Sequence, residues 1–276
     1  MRTLNKKITN INFQKNLKKI YSKNKPFKYI VIDDFLTKNV ANEFEKSFKI
    51  NSEWTNYSLV NNFKKFGLKK RNLFRNDCNR TLEDIASKRF IKILSFITNK
   101  KGLFLDKSLD GGGFHQVLNR GYLNIHVDFT SHYKNHDWKR VLNLLIYFNR
   151  NWKKKYNGYL QFYDSKGKEK KVSIMPKYNR CVIFNTNETS FHGHPESLNL
   201  PKNKSRNSFA VYFYIKQKNI IKPKATYYKS MKTNNILFNL MVNLENSLLR
   251  LYLILKGKKI LNDDVITKVL NLIKFK

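Results

Sequence analysis

Two potential metal ligands, His126 and Asp128, lie one residue apart in the apolar stretch GYLNIHVDFTSHY. Alternate residues of a β-strand point to the same face of a sheet, so both side chains can reach one ion while Val127 points the other way. Two further histidines, His192 and His194, lie in a segment that runs from a loop into a strand-like run. Either can supply a third ligand if the fold brings that segment beside the first pair. An isolated His-x-Asp in a strand is more often structural, so the prediction depends on the rest of the site.

The ligand types favour iron. Two imidazoles and one carboxylate on one triangular face leave three adjacent coordination positions open, as in non-haem Fe(II) sites that bind a chelating co-substrate and O2 together. Catalytic zinc usually keeps one open position. No cysteine lies near this group, which argues against structural zinc.

A second pair, Arg206 and Ser208, follows His192 on the next predicted strand, again with one residue between the two side chains. A guanidinium fork beside a hydroxyl is a suitable receptor for the distal carboxylate of a dicarboxylic acid. An Arg-x-Ser on a strand is by itself usually a surface pair. The order His-x-Asp, distant His, Arg-x-Ser is more specific than any of its parts.

These residues fall where the sequence predicts strands. From about residue 112, short runs rich in β-branched and aromatic residues are separated by Gly, Asn, Pro or charged turns. The runs are GFHQVLN, YLNIHVDF, VLNLLIYFN, GYLQFYD, KVSIMP, RCVIFN and FAVYFYIK. Such strands after two helices indicate a β-sandwich or jelly roll with helices packed outside one sheet.

The first part of the chain predicts helices. Residues 1–25 are basic and read as a loose helix or arm, and a strand is expected at 29–32. Residues 50–80 show no clear period. Apolar residues recur at helical spacing in two segments, predicting one helix on each. The first helix carries Val40, Phe44 and Phe48, and the second, over LEDIASKRFIKILSFITNKKG, carries Ala86, Phe90, Ile93, Leu94 and Ile97.

Beyond Lys216 the strand pattern ends, and NNILFNLMVNLENSLLRLYLILKGKK predicts an amphipathic helix. Its apolar face is expected to pack on the sheet or on a second copy of the chain, which would make a homodimer. Attachment to a membrane surface is the alternative. A final short helix is predicted over 263–274. The apolar face consists of Leu237, Leu240, Met241, Leu244, Leu248, Leu251, Tyr252 and Leu255.

Composition limits the class of protein. The chain has 276 residues, 55 Lys and Arg against 19 Asp and Glu, and a net charge of +36. An AT-rich genome explains the abundance of lysine; an anionic partner such as nucleic acid or a glycan is the functional explanation. Cys78 and Cys181 are expected to be free thiols. Neither a signal peptide nor a membrane-spanning run is recognisable, so a cytoplasmic location is expected.

With these motifs in place, residues 112–216 resemble the Fe(II)/2-oxoglutarate-dependent oxygenase superfamily, in particular its prolyl 4-hydroxylase-like branch. The start FKYIVIDDFL also resembles the first strand of that group, which extends the resemblance to roughly residues 27–216. The matching segments are GGGFHQVLNRGYLNIHVDF, RVLNLLIYFNRNWKKKYNGYLQFYD, IMPKYNRCVIFNTNETSFHGHPESL and SRNSFAVYFY.

The resemblance implies a role for each matching residue. The iron ligands would be His126, Asp128 and His192, the last preferred to His194 because it directly follows the aromatic position of Phe191. Arg206 would pair with the C5 carboxylate of 2-oxoglutarate. The hydroxyl of Tyr147 would point to the same carboxylate, and Tyr122 is a weaker candidate for that pocket.

Two positions depart from the family pattern. The usual Gly-Gly pair reads Asn157-Gly158 here, and the tyrosine common three residues before the first ligand is Leu123. Neither position belongs to the metal triad. The second puts the details of the co-substrate pocket in question.

The implied fold is α+β: a double-stranded β-helix (jelly roll) with flanking N-terminal helices and a C-terminal helical extension. The expected division is a basic arm at 1–25, an oxygenase domain at 26–216 with its jelly-roll core at about 112–216, and a helical extension at 217–276.

The implied activity is a dioxygenase that uses Fe(II), 2-oxoglutarate and O2, with L-ascorbate as a further requirement. It would hydroxylate an unactivated C–H, foremost of a prolyl or other protein residue, and release succinate and CO2. A sugar or lipid of a surface polysaccharide is the second substrate class, and nucleic acid is the least favoured. The alternative from another class is a non-catalytic, basic jelly-roll binding module.

Overall fold

The computed structural model describes residues 1–132, 134–219, 224–229 and 235–257. Its α-helices are α1 (Ile11–Lys23), α2 (Lys38–Lys46), α3 (Asn76–Ala86), α4 (Lys88–Thr98) and α5 (Ile236–Gly257). The strands are β1 (Tyr29–Ile32), β2 (Thr55–Asn56), β3 (Asn62–Leu68), β4 (Phe104–Leu105), β5 (Gly113–Val127), β6 (Trp138–Tyr147), β7 (Leu160–Tyr163), β8 (Lys170–Ile174), β9 (Arg180–Asn185), β10 (His192–His194), β11 (Arg206–Lys216) and β12 (Tyr227–Lys229).

The strands form one curled antiparallel sheet in the order β1-β9-β6-β11-β5-β10-β7-β8. The long strand β5 is its centre. The first half of β5 pairs with β11, the second half pairs with β10 and β12, and β3 pairs with parts of both halves. This arrangement confirms the predicted α+β jelly roll.

The main core lies between the sheet and the N-terminal helices. Phe44 of α2 is fully buried and stacks on Phe148, with ring centroids 4.9 Å apart, and also meets Phe114 and Phe209 of the sheet. Aromatic pairs of this kind bury large apolar areas. The predicted apolar face of α2 is confirmed, because Val40, Phe44 and Phe48 are all buried.

The basic N-terminal stretch forms a packed helix where a loose one was expected. Helix α1 begins after Asn10, whose side chain accepts a hydrogen bond from the Phe13 N–H (3.0 Å) and so caps a free amide. Leu17 and Tyr21, four residues apart, are buried in the main core, which includes residues of α4.

One local prediction was wrong. The expected single helix at 82–102 is divided at Ser87, which has extended backbone angles and whose Oγ accepts a hydrogen bond from the Phe90 N–H (3.3 Å). Serine is a favoured N-cap because it can satisfy a free amide, and the chain therefore starts a second helix there. The stretch 50–80, which shows no period, contains β2, β3 and the start of α3.

The predicted C-terminal helix is present as α5, but a different face makes the contact. Among its described side chains only Val242, Glu245 and Asn246 are buried, while most of the predicted apolar face is exposed. The Asn246 side chain accepts from the Tyr228 N–H (2.9 Å) and donates to the Tyr228 carbonyl (2.8 Å), so it pairs with β12 much as a strand would. Glu245 accepts from the Asn61 N–H (3.0 Å).

Other expectations concern the cysteines, the last helix and the membrane. Cys78 and Cys181 are free and buried, as predicted. The helix expected over 263–274 lies outside the described residues. Within the ranges that the structure describes, no helix is both long and apolar enough to cross a bilayer.

Candidate active site

Strands β5 and β10 bring the predicted metal ligands together. His192 is paired in register with His126, and the two rings lie 4.4 Å apart between centroids. Nε2 of His126 is 3.6 Å from Asp128 Oδ1, and Nε2 of His192 is 3.4 Å from Asp128 Oδ2. One ligand atom from each of the three residues lies within 4.8 Å of the others. Residues 66 positions apart in sequence therefore form one cluster of metal-ligating types.

Gly193 allows this approach of the two strands. A Cβ at that position would lie 2.8 Å from the Asn124 carbonyl oxygen and 2.9 Å from that of Leu123, closer than real Cβ contacts. Both neighbours are main-chain atoms, which cannot move aside as a side chain can. Glycine between the two histidines therefore lets β10 lie against β5 and places His192 beside His126.

Both histidines are oriented for metal binding. Nδ1 of His126 lies 2.8 Å from the Asn124 carbonyl oxygen, and Nδ1 of His192 lies 2.9 Å from that of Ser190. A carbonyl oxygen only accepts, so Nδ1 carries the proton and each Nε2 presents its lone pair to the cluster. Burial lowers the pKa of His126 to about 3, which keeps its imidazole neutral.

A buried network holds the Asp128 carboxylate. Its Oδ2 accepts from Arg140 Nη2 (2.9 Å) and from Asn143 Nδ2 (2.7 Å). Asn143 is itself fixed, because its Oδ1 accepts from Arg140 Nε and from the Thr186 hydroxyl, each at 2.9 Å. Burial opposes ionisation of Asp128, whereas the Arg140 guanidinium favours it, and the pKa of this carboxyl lies well below its usual value.

A β-bulge in β6 makes this network possible. Residues 140 and 143 of a regular strand face opposite sides of a sheet. In β6 the register with β11 skips a residue, since Phe213 pairs with Leu142 but Tyr214 pairs with Arg140. The extra residue turns Arg140 to the side of Asn143, and both reach Asp128. The Arg140 guanidinium also lies 3.3 Å from the Tyr212 ring centroid.

A buried guanidinium that could bind an anion lies in the same cavity. Arg206 is almost fully buried, donates from Nε to the Gly158 carbonyl (2.7 Å), and has Nη2 3.4 Å from the Tyr147 hydroxyl. Ser208 pairs in register with Tyr147 and lines the same cavity. Gly158 has φ +70°, and a Cβ there would lie 2.4 Å from Leu198 and 3.1 Å from Arg206. The glycine retained in Asn157-Gly158 thus gives Arg206 room beside the main chain.

One cavity of about 700 Å³ contains most of the predicted site. It is lined by His126, Asp128, His192, Arg206, Ser208 and Tyr147, and also by His194. His194 is not in the metal-ligating cluster; its ring is buried, and neither nitrogen has a hydrogen-bond partner among the described residues.

Tyr122 does not join the cavity. Its hydroxyl donates to the Val60 carbonyl (2.9 Å), and its ring stacks on Phe63 with centroids 5.8 Å apart. Tyr122 is not among the residues that line the cavity. The expected contact with the co-substrate is therefore not supported for this residue.

Four residues of the site were not predicted from the sequence: Arg140, Asn143, Lys65 and His115. Arg140 and Asn143 interrupt an apolar strand, WKRVLNLLIY, and two polar residues inside such a run are a usable signal for a buried network. Lys65 and His115 also line the cavity. The sequence FKKFG around Lys65 has no period that would show which lysine points inward.

Comparison with known proteins agrees with this geometry. The family model described as the 2OG-Fe(II) oxygenase superfamily matches residues 112–214. A comparison of the sequence with curated proteins gave no match. Similar solved structures include a Trichoplax adhaerens prolyl hydroxylase in complex with a hypoxia inducible factor peptide fragment, with a TM-score of 0.53 and 14% identity over 74% of this chain and 91% of that one.

Two further structures have the same fold. A Pseudomonas putida prolyl-4-hydroxylase has a TM-score of 0.50 and 14% identity, covering 72% of this chain and 99% of its own. A prolyl 4-hydroxylase from Phytophthora capsici has a TM-score of 0.52 and 14% identity, covering 84% and 74%. At this identity the likeness concerns the fold.

The matched segment contains His126, Asp128, His192 and Arg206, with the donor types that Fe(II) and a dicarboxylate require. The chain contains a segment, residues 112–214, that matches the 2OG-Fe(II) oxygenase superfamily, and its fold is similar to that of prolyl 4-hydroxylases. It is a 2-oxoglutarate-dependent dioxygenase whose cofactor is Fe(II) and whose co-substrates are 2-oxoglutarate and O2.

Proposed function

We propose that His126, Asp128 and His192 hold Fe(II), that Arg206 binds the distal carboxylate of 2-oxoglutarate, and that the enzyme hydroxylates a C–H of a protein residue, foremost proline. One observation carries the proposal: the three-residue cluster and a buried arginine line a single cavity. Held by these residues, Fe(II) and 2-oxoglutarate would supply the chemistry that activates O2, with release of succinate and CO2.

The protein's own groups position these reactants. Arg140 and Asn143 fix one carboxylate oxygen of Asp128, and the carbonyls of Asn124 and Ser190 fix the two imidazoles. Tyr147 and Ser208 stand beside Arg206 at the place where a carboxylate would bind. Because the ligands are oriented in advance, binding the metal requires little rearrangement of the protein.

Three points support hydroxylation of a protein residue. As a ligand, the Asp128 carboxylate would take the coordination position that halogenating relatives leave open for halide, so hydroxylation is favoured over halogenation. The T. adhaerens enzyme, which shares the fold, binds a peptide fragment. The cavity is partly open to solvent, so that a substrate chain can enter. We also propose that the enzyme needs ascorbate, that it is located in the cytoplasm and that its oxygenase domain spans residues 26–216.

The test is anaerobic titration of the apoprotein with Fe(II) and 2-oxoglutarate, followed by the visible metal-to-ligand charge-transfer band. His126→Ala should abolish the band, and Arg206→Ala should shift its appearance to higher 2-oxoglutarate concentration. His136→Ala is the control, since that histidine lies outside the cavity. Absence of the band in the unchanged protein at saturating iron and 2-oxoglutarate would overturn the proposal.

A further inference from the structure

Lys65 stands in the same cross-strand row as the co-substrate arginine. On β5, Val117 pairs with Lys65 of β3 on one edge and with Arg206 of β11 on the other. Residues in one row of a sheet share a face, and two strand spacings separate the outer Cα atoms by about 10 Å. Lys65, Val117 and Arg206 all line the cavity.

Nζ of Lys65 makes no hydrogen bond and no ion pair with any of the described residues. The other charged groups facing it have their own roles. Asp128 is engaged by Arg140 and Asn143 and belongs to the metal cluster, while Arg206 is engaged by Gly158 and stands at the carboxylate pocket.

The neighbouring histidines do not balance the lysine either. His115, His126 and His194 lie close enough to interact with its charge, and an imidazole is either neutral or cationic, so none of them supplies a negative charge. Burial lowers the pKa of Lys65, to about 8, which still leaves it mainly protonated at neutral pH. A partly desolvated, unpaired cation therefore remains in the substrate cavity.

Helix α5 contributes no lysine or arginine to the described lining of the cavity. It lines the cavity with Leu244, Leu248 and Tyr252, together with Glu245. Lys69 lines the cavity as well, but it has interactions of its own. Lys65 is thus a positive charge in the described cavity that makes no hydrogen bond or ion pair with the described residues and that neither the metal ligands nor the 2-oxoglutarate pocket uses.

We propose that the Lys65 ammonium receives an acidic group of the substrate, a carboxylate or a phosphate close to the carbon that is hydroxylated. The inference rests on the proposed function and narrows its substrate class. In a protein substrate this group is an Asp or Glu side chain, or a phosphorylated side chain, near the target residue.

The test uses binding, so that it does not require turnover. Full-length protein is loaded with Mn(II) and 2-oxoglutarate and mixed with nine-residue peptides centred on proline. One flanking position is fixed in turn as Glu, phosphoserine, Gln or Lys, and the others are degenerate. Retained peptides are counted by mass spectrometry. We expect Glu or phosphoserine to be enriched about tenfold over Gln at one flanking position, as a charge-assisted hydrogen bond provides.

Variants show whether Lys65 causes the selection. Lys65→Gln should abolish it, Lys65→Arg should keep most of it, and Lys65→Glu should favour the Lys peptides. Lys64→Gln is the matched control, since it removes the same charge from the adjacent residue, whose Nζ lies 5.7 Å from the Phe63 ring and which does not line the cavity. The enriched class shows whether the acid is a carboxylate or a phosphate.

Two outcomes overturn the inference alone. One is a normal charge-transfer band with no selection of acidic peptides, or with selection that Lys65→Gln retains. The other is a loss of 2-oxoglutarate affinity in Lys65→Gln as large as in Arg206→Gln, which would make Lys65 part of the co-substrate pocket. Absence of the band in the unchanged protein would instead overturn the proposed function, and the inference with it.

Discussion

His126 and His192 face each other across neighbouring antiparallel strands, and each ring is held by a carbonyl oxygen two residues earlier in its own segment. The two Nε2 atoms therefore point toward Asp128 before any ion is present. In both histidines, therefore, a main-chain carbonyl oxygen sets the orientation of the ring. In the His-Gly-His segment, His192 makes this hydrogen bond, whereas His194 makes none with the described residues, so the two histidines have different environments.

His192→Ala and His194→Ala should differ in metal binding. His192 belongs to the ligand cluster, while His194 lines the cavity with both nitrogens unpaired among the described residues. We expect His192→Ala to weaken Mn(II) binding at least 100-fold, because one of three protein ligands is lost, and His194→Ala to change it less than about threefold. Isothermal titration of the apoproteins with Mn(II) measures both. Equal losses would show that the third ligand has been assigned incorrectly.

Removing the guanidinium should affect 2-oxoglutarate more than removing the neighbouring hydroxyl. Arg206→Gln deletes a buried charge aimed at the carboxylate, and Tyr147→Phe deletes one neutral donor. We expect the Kd for 2-oxoglutarate to rise about 100-fold in the first variant and about fivefold in the second. Titration of the charge-transfer band gives both values. A larger effect in Tyr147→Phe would contradict the assigned roles.

Arg140 should stabilise the metal-free protein more than the metal-loaded protein. Arg140→Met leaves the buried Asp128 carboxylate without its charged partner, and we expect a loss of about 3 kcal/mol in the free energy of unfolding. Bound Mn(II) would supply positive charge to the same carboxylate, so the loss should be smaller in loaded protein. Urea unfolding with and without Mn(II) measures the difference. An equal loss in both states would mean that Arg140 acts mainly through its stacking on Tyr212.

The contact between α5 and the sheet should depend on pH. Burial raises the pKa of Glu245 above its ordinary value of 4.5. The folded contact therefore binds the proton more readily than the unfolded chain, so the contact should weaken as pH rises from about 4 through the raised pKa. Glu245→Gln keeps an oxygen for the Asn61 N–H and removes the buried charge.

Hydrogen exchange at the Asn61 amide measures this contact. We expect Glu245→Gln to show stronger protection at pH 7 and no dependence on pH beyond that of intrinsic exchange. Glu245→Ala is the comparison, because it leaves the buried N–H without an acceptor and should lower protection. Protection in the unchanged protein that increases with pH, after correction for intrinsic exchange, would contradict the assignment of Glu245.

The grouping of His126, Asp128 and His192 could be predicted from the sequence, while their role as metal ligands stays a prediction. His126 and Asp128 share a strand face by spacing alone, and the family pattern selected His192. The pocket around Arg206 followed from the same strand rule. The strands themselves were recognisable because β-branched and aromatic runs between turn residues are a strong signal.

The rest depends on tertiary structure. The bulge before Leu142 changes which side Arg140 faces, and no residue type marks that position. Lys65 and Lys64 are the same residue type, and only the pairing of β3 with β5 shows which one enters the cavity. In α5, hydrogen bonds of Glu245 and Asn246 with main-chain groups decide the contact face in place of the apolar pattern.

That contact has a mechanical consequence. The buried positions 242, 245 and 246 span little more than one turn of a 22-residue helix that is about 33 Å long. A helix held near its middle can tilt about that turn. The wall of the cavity that carries His126 and Asp128, by contrast, is fixed by the hydrogen bonds of the sheet. Selectivity should therefore be strict for the groups beside the metal and tolerant of bulk beside the helix, so that substrates sharing one reactive segment can differ in size.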